Sequence, residues 1–95
     1  MLKKNIHNGY YIDYNENVIG ENSFAANNTC NASSQYALAE GWYTTASGSE
    51  SHAEGSVTIA SGIRAHAEGG NTEAKGKCSH AEGSHTIAKG YSSHA

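Results

Sequence analysis

The sequence is poor in the residues that ordinarily fill a protein core. Its 95 residues include no proline, one methionine, one phenylalanine and one tryptophan, and alanine is the commonest contributor to the 37% apolar content. Such a chain makes one small domain at most. No stretch approaches the roughly 20 apolar residues of a membrane-spanning helix, which excludes membrane insertion by this segment. The formal charge of −3 comes with scattered lysines and no basic face, so nucleic acid is not an expected partner. The opening MLKKNIHNGYYIDYNENV has two lysines but no apolar run behind them, so it is not expected to act as a secretory signal. A nucleophile elbow and a phosphate-binding loop are both missing. Serines do precede histidines (Ser51, Ser79, Ser93), but as an echo of a repeat and not as a triad. No enzyme activity and no cofactor are expected.

What the chain has is a fixed period. From Ser51 it reads SHAEGSVTIASGIR, AHAEGGNTEAKGKC, SHAEGSHTIAKGYS and SHA, fourteen residues to a line and two heptads of small-x-Ala-x-Gly-x-x to each. A coiled coil also repeats every seven residues. Here it is excluded by a glycine in every heptad, at about 1 kcal/mol each against alanine, and by the lack of a second apolar position. Within a heptad, positions 1 and 3 are small (Ser51 and Ala53, Thr58 and Ala60, Ala65 and Ala67). Positions 2 and 4 are large or charged (His52 and Glu54, His66 and Glu68). Alternation of period two predicts a short strand with one packed face and one free face. Glycine at position 5 is expected to supply a turn with positive φ. Two strands and two turns give one fourteen-residue coil, and coils stack about 4.8 Å apart. The fold class predicted is all-β, a narrow parallel β-solenoid. Its interior is expected to hold Ala25, Ala32, Ala39, Ala46, Ala53, Ala60, Ala67, Ala74, Ala81 and Ala88. Alanine methyls alone bury little apolar surface, which predicts an obligate oligomer.

The frame runs back to about residue 16. Gly9 to Asn15 breaks it, because Tyr11 is too large for the interior slot. Residues 1–15 are therefore expected to form a lead-in and an aromatic cap, and residues 16–95 the repeats. Ser93-His94-Ala95 stops inside a repeat, as a fragment of a longer, C-terminally open array would. Cys30 and Cys78 lie 48 residues apart, about three and a half coils, too far for a disulfide.

The two heptads of a coil differ. In one, position 2 reads Phe24, Leu38, His52, His66, His80 and His94, with Glu40, Glu54, Glu68 and Glu82 two residues further on. In the other it reads Asn17, Asn31, Thr45, Ile59, Glu73 and Ile87, varied as a solvent face is. Phe24, Leu38, His52, Glu54, His66, Glu68, His80, Glu82 and His94 are accordingly the expected subunit interface. The same His52, His66, His80 and His94 could serve as transition-metal ligands. A ladder of His–Glu hydrogen bonds that satisfies half-buried polar groups is favoured over a metal site. Tyr36, Trp42, Tyr43, Ile63 and Tyr91 fall on turn positions 6 and 7 and are a candidate contact surface, either for a ligand or for a neighbouring subunit. Thr44, Thr58, Thr72 and Thr86 align once per coil, as in an ice-binding array, but at an inward-facing position.

These repeats resemble the head repeats of trimeric autotransporter adhesins, the YadA-like family, over about residues 16–95. The resemblance implies a left-handed parallel β-roll with fourteen-residue coils, a parallel homotrimer, and a place in a surface fibre that attaches to a host surface protein or glycan. Family heads typically carry apolar residues on both sides of the axis-facing alanine, where this chain has His52/Glu54, His66/Glu68 and His80/Glu82. The SHAEG wording is also similar to repeat segments of bacteriophage and prophage tail or neck fibres. An adhesin at the cell surface and a virion fibre acting as a spacer for a distal module both follow, and both are non-enzymatic.

Overall fold

The computed structural model describes residues 2–4, 10–12, 22–28 and 30–95. Their strands are β1 (Leu2–Lys4), β2 (Tyr10–Ile12), β3 (Phe24–Asn28), β4 (Asn31–Ala32), β5 (Leu38–Trp42), β6 (Thr45–Ala46), β7 (His52–Ser56), β8 (Ile59–Ala60), β9 (His66–Gly70), β10 (Glu73–Ala74), β11 (His80–Ala81) and β12 (Ile87–Ala88). From β3 onward, consecutive strands alternate between two sheets. One has the order β1-β2-β3-β5-β7-β9-β11, the other β4-β6-β8-β10-β12. Apart from the antiparallel β1–β2 pair, every pairing is parallel. The register is constant: Leu38 faces His52, His52 faces His66, and Thr45 faces Ile59. The chain is an all-β solenoid.

The same register joins β2 to β3, with Tyr10 opposite Phe24 and Tyr11 opposite Ala25. Strand pairing thus continues upstream of residue 16, into the segment read as an aromatic cap. The boundary expected at residues 15 and 16 lies outside the described residues.

Alternation decides what goes inside. The ten alanines from Ala25 to Ala88 at heptad position 3 are each 2% exposed or less. Position 1 fills the rest of the tube with Thr44, Thr58, Thr72, Ser51, Ser79 and Cys30, which are the largest fully buried side chains. Cys30 stands where most coils carry serine or threonine, its Sγ 3.2 Å from the Gly41 carbonyl oxygen, and neither it nor Cys78 is in a disulfide. The tube is filled to the width of a threonine and no more.

The corners bear out one expectation in part and add to it. Glycine at position 5 has a positive φ of 100–114° at Gly41, Gly55, Gly69 and Gly83, in alternate heptads, while the seventh residue has a positive φ in every described heptad. Tyr36, Tyr43, Glu50, Val57, Arg64, Asn71, Cys78, His85 and Ser92 all have φ between 54° and 61°. A non-glycine residue there costs about 1–2 kcal/mol. From Glu50 onward each of these backbones is held by a hydrogen bond to the coil before, as when the Val57 and Arg64 amides donate to the Trp42 and Ser49 carbonyls at 2.8 Å. The glycines answer a different demand. A Cβ on Gly62 would strike the Gly76 carbonyl of the next coil, although Gly62 has no positive φ. Gly55 meets both constraints, with φ +112° and the Gly69 carbonyl in the way. Close stacking of coils, rather than turning alone, accounts for the glycine at position 5 from Gly41 to Gly76, while Ser34 fills the same position in an earlier coil.

Candidate functional site

The sheet containing β3, β5, β7, β9 and β11 presents one uninterrupted column on its outer face. Parallel register with a fourteen-residue offset places Phe24, Leu38, His52, His66, His80 and His94 in a line, since Phe24 pairs with Leu38 and the histidines follow in turn. Alternation sends Ala25, Ala39, Ala53, Ala67 and Ala81 inward, so the flanking residues project outward. The imidazole rings stack at centroid distances of 4.6, 4.7 and 4.7 Å with interplanar angles of 9°, 1° and 7°.

A second column runs beside the first. Glu40, Glu54 and Glu68 lie opposite one another by the same register, and Glu82 continues the series in the repeat. Each histidine reaches back to the glutamate of the preceding coil. The Nε2–Oε1 distances are 3.4 Å for His52–Glu40, 3.5 Å for His66–Glu54, 3.0 Å for His80–Glu68 and 2.9 Å for His94–Glu82. The ladder of His–Glu contacts expected from the sequence is present within one chain, and it runs between coils. The contact lies on the diagonal between neighbouring parallel strands, one coil back and two residues offset, a separation that long side chains span. Glu54 also turns its other oxygen toward His52 of its own coil, at 3.9 Å. Glu54 thus contacts the imidazoles of two successive coils.

His52, His66 and His80 side chains keep 31%, 35% and 36% of their surface exposed. The His66 Nε2 atom is shut off from solvent and lacks a hydrogen bond, with the Glu54 Oε1 atom 3.5 Å away. Two like unit charges about 4 Å apart repel by about 1 kcal/mol in water and by about 4 kcal/mol at an effective dielectric of 20. The glutamates beside the rings offset that repulsion for any histidine that is charged. In each of the sets His52-Glu54-His66, His66-Glu68-His80 and His80-Glu82-His94, the three donor atoms lie within 4.8 Å of one another.

The remaining faces are less regular. On the other sheet, Asn31, Thr45, Ile59, Glu73 and Ile87 share a register, with Lys75 bridging back to Glu73 at 3.6 Å. Tyr36, Trp42, Tyr43, Ile63 and Tyr91 are exposed, as are Val57 and Ile87. Trp42 and Tyr43 meet edge to face at 4.5 Å, and the Lys77 ammonium lies 5.8 Å from the Tyr91 ring centroid. The corner residues do not converge on one spot. They divide between the corner that follows one sheet (Trp42, Tyr43) and the corner that follows the other (Tyr36, Ile63, Tyr91).

One corner pair has no counterpart in the sequence reading. Arg64 Nε donates to Glu50 Oε1 at 3.1 Å across one coil. That hydrogen bond, with a further one to Cys78, raises the already high pKa of the guanidinium, so it stays charged. The fourteen-residue spacing of Glu50, Arg64 and Cys78 was the available signal, since every residue meets its successor one coil on. The threonine column is enclosed: Thr44, Thr58 and Thr72 are fully buried and offer no outward array. No family model matches the chain, and no curated protein or solved structure matches it either.

Proposed function

We propose that this chain is a non-enzymatic structural and adhesive segment of a fibre in which three parallel copies stand side by side, with the histidine–glutamate columns turned toward the shared axis. The observation that carries the reading is the unbroken in-register column from Phe24 to His94 on one sheet face. A surface repeated at every coil gives a second and third copy the same contact at every level. The thinness of the tube supports the same conclusion. Its least extent is 12 Å and its interior holds nothing larger than threonine, so burial within one copy is small and burial between copies has to add to it. The left-handed roll and the trimer are what the YadA-like resemblance implies, and attachment through the aromatic corners at Trp42 and Tyr43 would give such a fibre its adhesive surface.

A second reading, a spacer that sets the reach of a distal module, is favoured by the constancy of the register. A stack with one fixed offset lengthens by about 4.8 Å for every coil added. Both readings require assembly, and assembly is testable face by face. Leu38→Lys combined with His66→Lys puts two charges per copy on the column, and the solution mass is expected to fall threefold. Ile59→Lys, on the opposite sheet, is expected to leave the assembled mass unchanged. If the column variant stays assembled while Ile59→Lys dissociates, the wrong face has been assigned.

A further inference from the structure

We propose that the histidine–glutamate ladder is a divalent transition-metal site built within a single chain, taking two ions through His52, Glu54 and His66 and through His80, Glu82 and His94. The inference rests on residues of one copy and holds whether or not copies assemble, so it stands apart from the fibre reading.

Three observations carry it. The first is donor spacing. Zinc binds imidazole nitrogen and carboxylate oxygen at about 2.0–2.2 Å, which sets tetrahedral donors about 3.4 Å apart. Within the two sets, His66–Glu54 at 3.5 Å, His52–Glu54 at 3.9 Å and His94–Glu82 at 2.9 Å stand close to that separation. The paired imidazoles need only tilt their Nε2 atoms together, and their side chains are partly exposed and free of the packed interior. The second is the orphaned His66 Nε2, enclosed and without a hydrogen bond, which a metal bond would satisfy. The third is the chemistry of the donors. Imidazole with carboxylate suits zinc, cobalt, nickel and copper, while calcium and magnesium require all-oxygen surroundings.

The stoichiometry follows from sharing. Three overlapping sets occur along the ladder, and the middle one, His66-Glu68-His80, borrows a histidine from each neighbour. An Nε2 lone pair serves one ion. Filling the outer sets therefore empties the middle one, leaving two ions about 9.6 Å apart, or two coil spacings. Water completes each coordination shell. Glu68, between the two sites, is a bystander.

Calorimetric titration of the whole chain with zinc tests this, together with titration by cobalt read in the visible spectrum. The unmodified chain is expected to take two zinc ions per chain, and Glu68→Gln is expected to keep both. His66→Leu should lose one, and His66→Leu with His80→Leu should lose both. The β-type circular dichroism of each variant is recorded alongside, and the cobalt bands of the unmodified chain give a readout that needs no variant. Calcium in excess is expected to displace nothing. The proposal is overturned by the absence of cobalt bands in the unmodified chain, by zinc uptake that survives the double substitution in a folded chain, or by one ion shared among three chains.

Discussion

Val57 has a β-branched side chain on a backbone with φ 54°, the left-handed region that such a residue tolerates least. One coil further on, the same corner position holds Asn71, which suits that conformation. Val57→Asn is therefore expected to stabilise the fold by about 1 kcal/mol and to raise the melting midpoint by about 4–8 °C. A lower midpoint would mean that the Val57 side chain is needed where it lies. The seventh position was not legible in the sequence, because Tyr, Glu, Val, Arg, Asn, Cys, His and Ser occupy it without a common chemistry. Its conformation is imposed by the hydrogen bond to the preceding coil, which acts on the backbone and leaves the side chain free to vary. The interior alanines were legible for the opposite reason: an enclosed slot constrains the side chain itself, and the constraint repeats every seven residues.

At the scale of the strand and corner, the glycines separate two demands that the sequence shows as one. Gly62 is held by the approach of the Gly76 carbonyl, whereas Gly70 has open space around the position of a Cβ and no positive φ. Gly62→Ala is expected to cost about 3 kcal/mol or more, since the added Cβ would meet the backbone carbonyl of Gly76. Gly70→Ala should fall within about 0.5 kcal/mol of the parent, or slightly above it. Thermal unfolding of the two variants measures the difference, and equal losses would show that stacking does not hold position 5. Strand order and offset were readable from the fourteen-residue period. The diagonal from each histidine to the previous glutamate was not, because it depends on how the side chains turn across neighbouring strands, and a linear pattern carries no distances.

For the molecule as a whole, the period also foretold the column of His52, His66, His80 and His94, since a constant offset makes every residue the neighbour of its own repeat. The Arg64–Glu50 bridge obeys the same rule and escaped notice only because it occurs once. A slim tube filled with alanine and threonine, with a ladder along one face, is what three copies around an axis would use. Sedimentation equilibrium of the unmodified chain tests that most directly. With a chain of 10.0 kDa, three copies weigh about 30 kDa, and this is the mass expected across a range of concentrations. A folded, monodisperse species at 10.0 kDa would contradict it.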